Sequence, residues 1–194
     1  EAALCNEVTQ ALYIDEKQFH SALDLLAERL EITICGKYGE NFIYLSEYYA
    51  AECYIADKIA EMVKLSNSGE TDFSEEIEGV AWTNGIEYET LQKKAINGCM
   101  NNRVFILTGG PGTGKTTTLN AVIELCRQRK QRIRLAAPTG RAAKRVSELT
   151  GAPAQTIHRL LEVDFAAGGD TFKRNEENPL SCDVLIIDEM SVVD

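Results

Sequence analysis

The stretch Gly109-Gly110-Pro111-Gly112-Thr113-Gly114-Lys115-Thr116 satisfies G-x-x-x-x-G-K-[ST] and follows the apolar run Val104-Phe105-Ile106-Leu107. A strand that feeds directly into such a loop, with a helix opening on its far side, is the most constraining feature of the chain. Glycine lets the backbone take positive φ and turn its N–H groups inward, around phosphate oxygens. Lys115 then reaches the β/γ-phosphates and the Thr116 hydroxyl is placed to ligate Mg²⁺. The helix begun by Thr116-Thr117-Thr118-Leu119 points its partly positive end at the same anion. With glycine at about 7% of residues, an accidental match in a chain this long is roughly a one-in-a-hundred event.

Around this loop, strand-like and helical segments alternate, which is the pattern of a parallel sheet covered by helices. Strands are expected at Val104 to Thr108, Ile133 to Ala137 and Val184 to Asp188; helices at Thr90 to Met100, Lys115 to Lys130 and Gly140 to Leu149. Val184-Leu185-Ile186-Ile187 is apolar without alternation, as a central strand buried on both faces requires. Gly168 to Pro179 reads as a loop. The expected fold class is α/β, a RecA-like P-loop domain over residues 86–194 that ends soon after the second acidic motif.

The preceding residues carry a different pattern. Phe19, Leu23, Leu26 and Leu30 recur at helical spacing behind Asp15, a good N-cap. Ile32 and Ile34, a turn at Gly36-Lys37-Tyr38-Gly39, and Phe42 and Tyr44 then predict a β-hairpin. Tyr49, Ile55, Ile59 and Met62 open a second helix running to about Leu65. Helix, hairpin and helix together predict a small winged-helix-like α+β module over residues 1–65. The polar, acidic run from Ser66 to Gly79 predicts a linker, extended here to residues 66–85. Trp82 reads as a packing anchor and His20 as a helix-surface residue.

Composition bounds the function classes. With 44% apolar and 26% charged residues the balance is that of a soluble globular protein. No apolar run approaches the ~20 residues that cross a bilayer, and the amino end lacks the basic and apolar regions of a signal peptide. A cytoplasmic location without membrane contact is expected. The six cysteines are scattered without C-x-x-C spacing, so neither a zinc cage nor a disulfide framework is indicated. A net charge of −10 argues against a polyanionic partner until it is divided by region. Residues 1–102 carry net −12 and residues 103–194 net +2; between Arg127 and Arg159 nine bases face one acid, Glu148. That local surplus fits a phosphate-backbone contact surface.

An apolar strand ending in Asp188-Glu189 supplies the usual complement of a P-loop. In a parallel sheet the carboxyl ends of the strands share one edge, so Asp188 is expected to face the Mg²⁺ held by Thr116. Glu189 is expected to polarise the attacking water as general base. With these residues in order, the run from Gln92 to Met190 resembles the first motor domain of a superfamily 1 DNA helicase of the RecD/TraA type, the branch that travels 5′ to 3′. Ile86-Glu87-Tyr88-Glu89-Thr90-Leu91-Gln92 resembles the Q motif, Gly109 to Thr116 is motif I, and Asp188-Glu189-Met190-Ser191 matches motif II. Ala137-Pro138-Thr139-Gly140-Arg141-Ala142-Ala143-Lys144-Arg145 resembles motif Ia, and Thr156-Ile157-His158-Arg159-Leu160-Leu161 resembles motif Ib.

The resemblance implies ATP and Mg²⁺ as the cofactors, with nucleotide contacts at Gln92, Gly110, Pro111, Gly112, Thr113, Gly114, Lys115, Thr116 and Thr117. Lys115, Asp188 and Glu189 are the implied catalytic residues, Thr116 and Asp188 the metal ligands, and Gln92 the adenine reader. Single-stranded DNA is the implied partner, held by Pro138, Thr139, Gly140, Arg141, Lys144, Arg145, Thr156 and His158. The residue types agree: hydroxyls and bases can hold a phosphate backbone without reading sequence. Thr139 reads equally as a helix N-cap, and His158, apart from its motif, as a partly buried histidine.

A DNA repair or recombination helicase is thus expected of the parent protein. A second motor domain, with the arginine that stabilises γ-phosphate charge, is not in these 194 residues. The expectation for the chain alone is weak nucleotide binding, poor hydrolysis and no unwinding, with the amino-terminal module open to a protein partner. Another P-loop ATPase or a small-molecule kinase, and a non-catalytic partner-binding module, remain as alternatives.

Overall fold

A computed structural model describes residues 1–65, 71–164 and 171–193. The chain divides into two compact units, Glu1–Leu65 and Ser66–Asp194.

In the first unit, α1 (Ala2–Leu12) and α2 (Glu16–Glu28) precede a hairpin of β1 (Ile32–Lys37) and β2 (Glu40–Leu45), and α3 (Ser46–Lys64) follows. Asp15 caps α2 as expected: its carboxylate accepts from Gln18 N–H at 2.7 Å, and the Gln18 side chain accepts from Asp15 N–H at 3.0 Å. The hairpin turns on Tyr38 and Gly39, with φ of 55° and 81°; paired positive φ matches the twist of the flanking strands. Phe19 and Leu23 of α2, Cys5 of α1 and Ile32 of β1 form the core of this unit. Helix α1 was not anticipated, because it buries a single residue, Cys5, and leaves no strong apolar stripe in the sequence.

The second unit begins where a linker was expected. Residues 66–70 lie outside the described set, but Ser74–Asn84 forms helix α4, and Phe73, Ile77, Val80 and Ala81 are all at most 4% exposed. Within the linker expected over 66–85, Ser74–Asn84 is therefore corrected to a core helix: four well-spaced apolar residues suffice to seat an acidic helix whose Glu75, Glu76 and Glu78 face solvent. Against α4 pack α5 (Thr90–Asn101) and α6 (Lys115–Gln128), through Tyr88, Ile96, Ala121, Val122, Leu125 and Cys126. Trp82 is 89% exposed and anchors nothing here, since Ile77, Val80 and Ala81 already occupy the inward arc of α4.

The sheet has order β4-β3-β5, with β3 (Ile133–Ala137) between β4 (Ala154–Thr156) and β5 (Val184–Ile187), both parallel to it. Helix α7 (Gly140–Thr150) connects β3 to β4, and α8 (Ile157–Leu160) follows β4. Ile123 of α6, Leu135 of β3, Val146 of α7 and Ala152 join helices to sheet. Two strand expectations change. Residues 104–108 form no ladder among the described residues; Phe105 lies over Gly98 of α5, and Ile106 is 83% exposed. Both sides of β3 are taken by β4 and β5, so this apolar run pairs with neither side of it. Strand β5 is consequently an edge rather than a central strand, with Leu185 42% exposed. The loop foreseen from Gly168 lies outside the described residues up to residue 170, and from 171 onward it holds only the bridge of Phe172 to Val163.

No described helix is long and apolar enough to cross a membrane, and no described cysteine is in a disulfide or a metal-sized cluster.

Candidate functional site

The loop before α6 has the backbone its sequence called for. Gly112 and Gly114 take φ of 77° and 79°, which a side chain would resist. Thr113 Oγ1 donates to the Gly110 carbonyl at 2.9 Å, which closes the turn. Lys115 Nζ donates to the Gly109 and Gly110 carbonyls at 2.5 and 2.7 Å, so the ammonium is folded over the loop, and among the described residues no carboxylate pairs with it. Gly114, at the N-cap of α6, offers no side chain to the first helical N–H groups. Inward-turned glycines, uncapped N–H groups at a helix start and an uncompensated ammonium together make a receptor for a polyphosphate.

Gln92 is brought to this loop from α5. Its Oε1 accepts from Glu89 N–H at 2.9 Å, and its Nε2 packs so closely on Gly114 that a Cβ there would collide with it. Thr118 fixes the loop from the other side, its buried hydroxyl donating to the Gly114 carbonyl at 3.1 Å. Thr116 and Thr117 occupy the first turn of α6.

The parallel register gathers the remaining motifs on one sheet edge. Ala137 pairs with Thr156 and Ala136 with Ile187, and Asp188 N–H donates to the Ala136 carbonyl at 3.0 Å. Pro138-Thr139-Gly140, Thr156-Ile157-His158 and Asp188-Glu189 therefore leave the three strands at the same end. Thr139 Oγ1 accepts from Ala142 N–H at 3.1 Å and Thr156 Oγ1 from Arg159 N–H at 3.2 Å, so both hydroxyls serve as N-caps. Glu189 takes φ of 55° and begins a 3₁₀ turn over Met190–Val192. Asp188 and Glu189 are exposed, and among the described residues no hydrogen bond or ion pair joins them to Lys115 or Thr116.

A shallow groove of about 370 Å³ runs between α7 and the β4–α8 junction, bordered by the polar residues Lys144, Ser147, Glu148, Gln155, Thr156 and Arg159. The basic run seen in the sequence divides here. Arg127, Arg129 and Arg132 pair with Glu124, Glu76 and Asp183 at 3.9, 3.5 and 2.9 Å. Lys144 meets Glu148 at 3.8 Å, one turn along α7. Lys130, Arg134, Arg141, Arg145 and Arg159 have no ion pair among the described residues, and of these Arg159 borders the groove. Gln155 and Ser147 were not singled out from sequence; each is an ordinary polar residue until β4 and α7 are packed together. His158 is exposed, not partly buried.

With this geometry in hand, comparison with known proteins gives concordant results. A family model described as an AAA domain matches residues 92–194. The ATP-dependent RecD2 DNA helicase of Deinococcus radiodurans is 35% identical over 158 residues, covering 80% of this chain and 21% of that protein. The RecBCD enzyme subunit RecD of Mycolicibacterium smegmatis is 32% identical over 179 residues, covering 79% of this chain and 30% of its own. The RecBCD enzyme subunit RecD of Haemophilus influenzae is 36% identical over 127 residues, 53% of this chain and 20% of that protein. The chain thus spans between 20% and 30% of the length of these curated relatives.

Proposed function

The chain belongs to the AAA domain family as part of a RecD-type helicase, and from that premise we propose that it holds Mg·ATP at Gly109–Thr116 and single-stranded DNA along the α7–α8 edge. In the whole protein this is the first of two motor domains of a helicase moving 5′ to 3′ in DNA repair or recombination. The single observation that carries the reading is the shared sheet edge, where residues 138–140, 156–158 and 188–189 emerge together from three parallel strands.

The residues divide the work by chemistry. Lys115 exchanges two neutral carbonyls for phosphate oxygens, a stronger, charge-assisted bond. Uncapped N–H groups of Gly112 to Thr117 surround the same oxygens. The Thr116 hydroxyl and Asp188 carboxylate are hard oxygen donors of the kind Mg²⁺ selects, and Mg²⁺, once bound, supplies charge neutralisation on the phosphates. Glu189 accepts a proton from the attacking water. The Gln92 amide, an adjacent donor and acceptor, is complementary to the N6 and N7 edge of adenine.

On the DNA side, Arg141, Lys144 and Arg145 attract the phosphate backbone while the Pro138-Thr139-Gly140 and Thr156-His158 segments shape its path. None of these groups distinguishes one base from another, so binding is sequence-tolerant and salt-sensitive. The amino-terminal module, acidic overall, is left for a protein partner rather than for DNA.

Titration of the chain into a labelled oligothymidine, at several salt concentrations and with or without Mg·ATP, tests the proposal. Salt-dependent binding to oligonucleotides of unrelated sequence supports it. Absence of any oligonucleotide binding at low salt defeats it.

A further inference from the structure

Beyond the basic edge, the chain turns back on itself and places an aromatic ring where no motif is assigned. After α8, residues 162–164 run antiparallel to residues 171–173: Asp164 N–H donates to the Thr171 carbonyl at 2.9 Å, Lys173 N–H to Glu162 at 3.2 Å, and Val163 bridges Phe172. Val163 N–H also donates to the His158 carbonyl at 3.2 Å, which ties this short ladder to α8. The Arg174 guanidinium donates twice to Glu162 Oε1, at 2.6 and 2.8 Å, and the Arg174 backbone N–H donates to the Leu161 carbonyl at 3.1 Å, so both sides of the ladder are clamped. Phe172 is thereby held beside His158, with ring centroids 6.4 Å apart and planes 42° to each other.

Phe172 is 40% exposed and His158 is exposed as well. A tilted ring pair normally gains by burial, and this one remains partly exposed to solvent. Beside it Arg159, the residue after His158, borders the groove and has no ion pair among the described residues. An exposed aromatic pair beside an unpaired guanidinium is a combination that engages unpaired nucleobases, whose π-faces stack whatever the base.

We propose that His158 and Phe172 form a stacking platform for one unpaired nucleobase of the strand held at the basic edge. This rests on the single-stranded-DNA reading above and adds to it a contact with a base in place of a phosphate. Phe172 supplies the wider apolar face; the imidazole flanks it. Stacking releases no counterions, so this contact has a signature that phosphate contacts lack.

The test compares Phe172→Leu, which keeps apolar volume but removes the π-face, with Phe172→Tyr, which keeps it, in salt titrations of the whole chain against labelled oligothymidine. Phe172→Leu is expected to weaken binding about tenfold at every salt concentration with an unchanged slope of log affinity on log salt, while Phe172→Tyr binds as the original chain does. A 2-aminopurine placed within the oligonucleotide is expected to be quenched by the original chain and not by Phe172→Leu. If Phe172→Leu binds like the original, or weakens binding with a shallower salt slope, the platform is refuted while the phosphate contacts stand. If the original chain binds no oligonucleotide, the wider DNA reading falls with it. Unchanged thermal midpoints for both variants exclude unfolding as the cause.

Discussion

The side-chain amide of Gln92 lies against Gly114, joining the start of α5 to the start of α6 at the phosphate loop. One amide thus caps a helix through its oxygen and closes the space above a left-handed glycine with its nitrogen. The two residues are coupled, and a substitution at either is felt at the other.

Gly114→Ala forces a methyl group into a backbone with φ of 79° and into the Gln92 amide. The backbone conformation alone costs about 1–2 kcal/mol, and displacing Gln92 removes the cap on Glu89 N–H. Adding Gln92→Ala relieves the collision, so the double variant should be more stable than the sum of the singles, as a denaturant double-mutant cycle would measure. Strict additivity would contradict the contact.

Lys115→Ala removes a solvent-exposed ammonium whose partners among the described residues are loop carbonyls. Nucleotide affinity should fall about tenfold to a hundredfold, as expected for losing a charge-assisted bond of about 1.5–3 kcal/mol. The unfolding midpoint should barely move. Calorimetric titration with Mg·ATP and a thermal melt report the two halves separately.

Arg141→Ala with Arg145→Ala removes two charges that hold no ion pair among the described residues. Oligonucleotide binding should weaken and the salt slope should become shallower by about 1.4, since each phosphate contact on a single strand contributes about 0.7. An unchanged slope would place the bound strand elsewhere.

Thr139 caps α7 through its hydroxyl, apart from any part in the proposed DNA contact. Thr139→Ala loses the cap to Ala142 N–H and should destabilise the second unit by about 1 kcal/mol, whereas Thr139→Ser keeps the hydroxyl and should restore stability. Chemical denaturation of the pair reads this directly. Equal stability of the two variants would show that the cap contributes nothing.

Acid should expose a clamp at the start of β3 and β5. Asp183 accepts from Arg132 N–H at 2.7 Å and from its guanidinium, and the Arg132 hydrogen bonds hold the Asp183 carboxyl down at about 2. A folded value below the unfolded one of about 3.9 means that the stabilisation is whole above that unfolded value. It is lost as pH falls through the folded value, so stability should decline between about pH 4 and pH 2. Asp183→Asn should be less stable at neutral pH and should lose this part of the acid dependence, which urea unfolding across that pH range would register.

How much of this was legible beforehand depends on the range of the interactions involved. Asp15 and Thr139 as caps, the turn at Tyr38-Gly39 and the left-handed glycines of the phosphate loop follow from residues within three or four positions of each other. The errors lie where distant partners decide. Ser74–Asn84 looks like an acidic linker until Phe73, Ile77 and Val80 find α5 and α6; Trp82 looks like an anchor until its neighbours fill the inward arc. Residues 104–108 and Val184–Ile187 carry similar apolar runs, yet only the second entered the ladder.

By itself, then, the order of residues determined the phosphate loop, the caps, the hairpin, the alternation of the α/β unit and the motifs that mark its family. These rest on backbone preference and on short-range hydrogen bonds that need no tertiary context. Only the tertiary structure decided which strands pair, that three motifs share one sheet edge, that Gln92 meets Gly114, and which arginines keep their charge uncompensated. Ladder pairing, close packing and ion pairing act between residues far apart in the chain, where composition and spacing leave no mark.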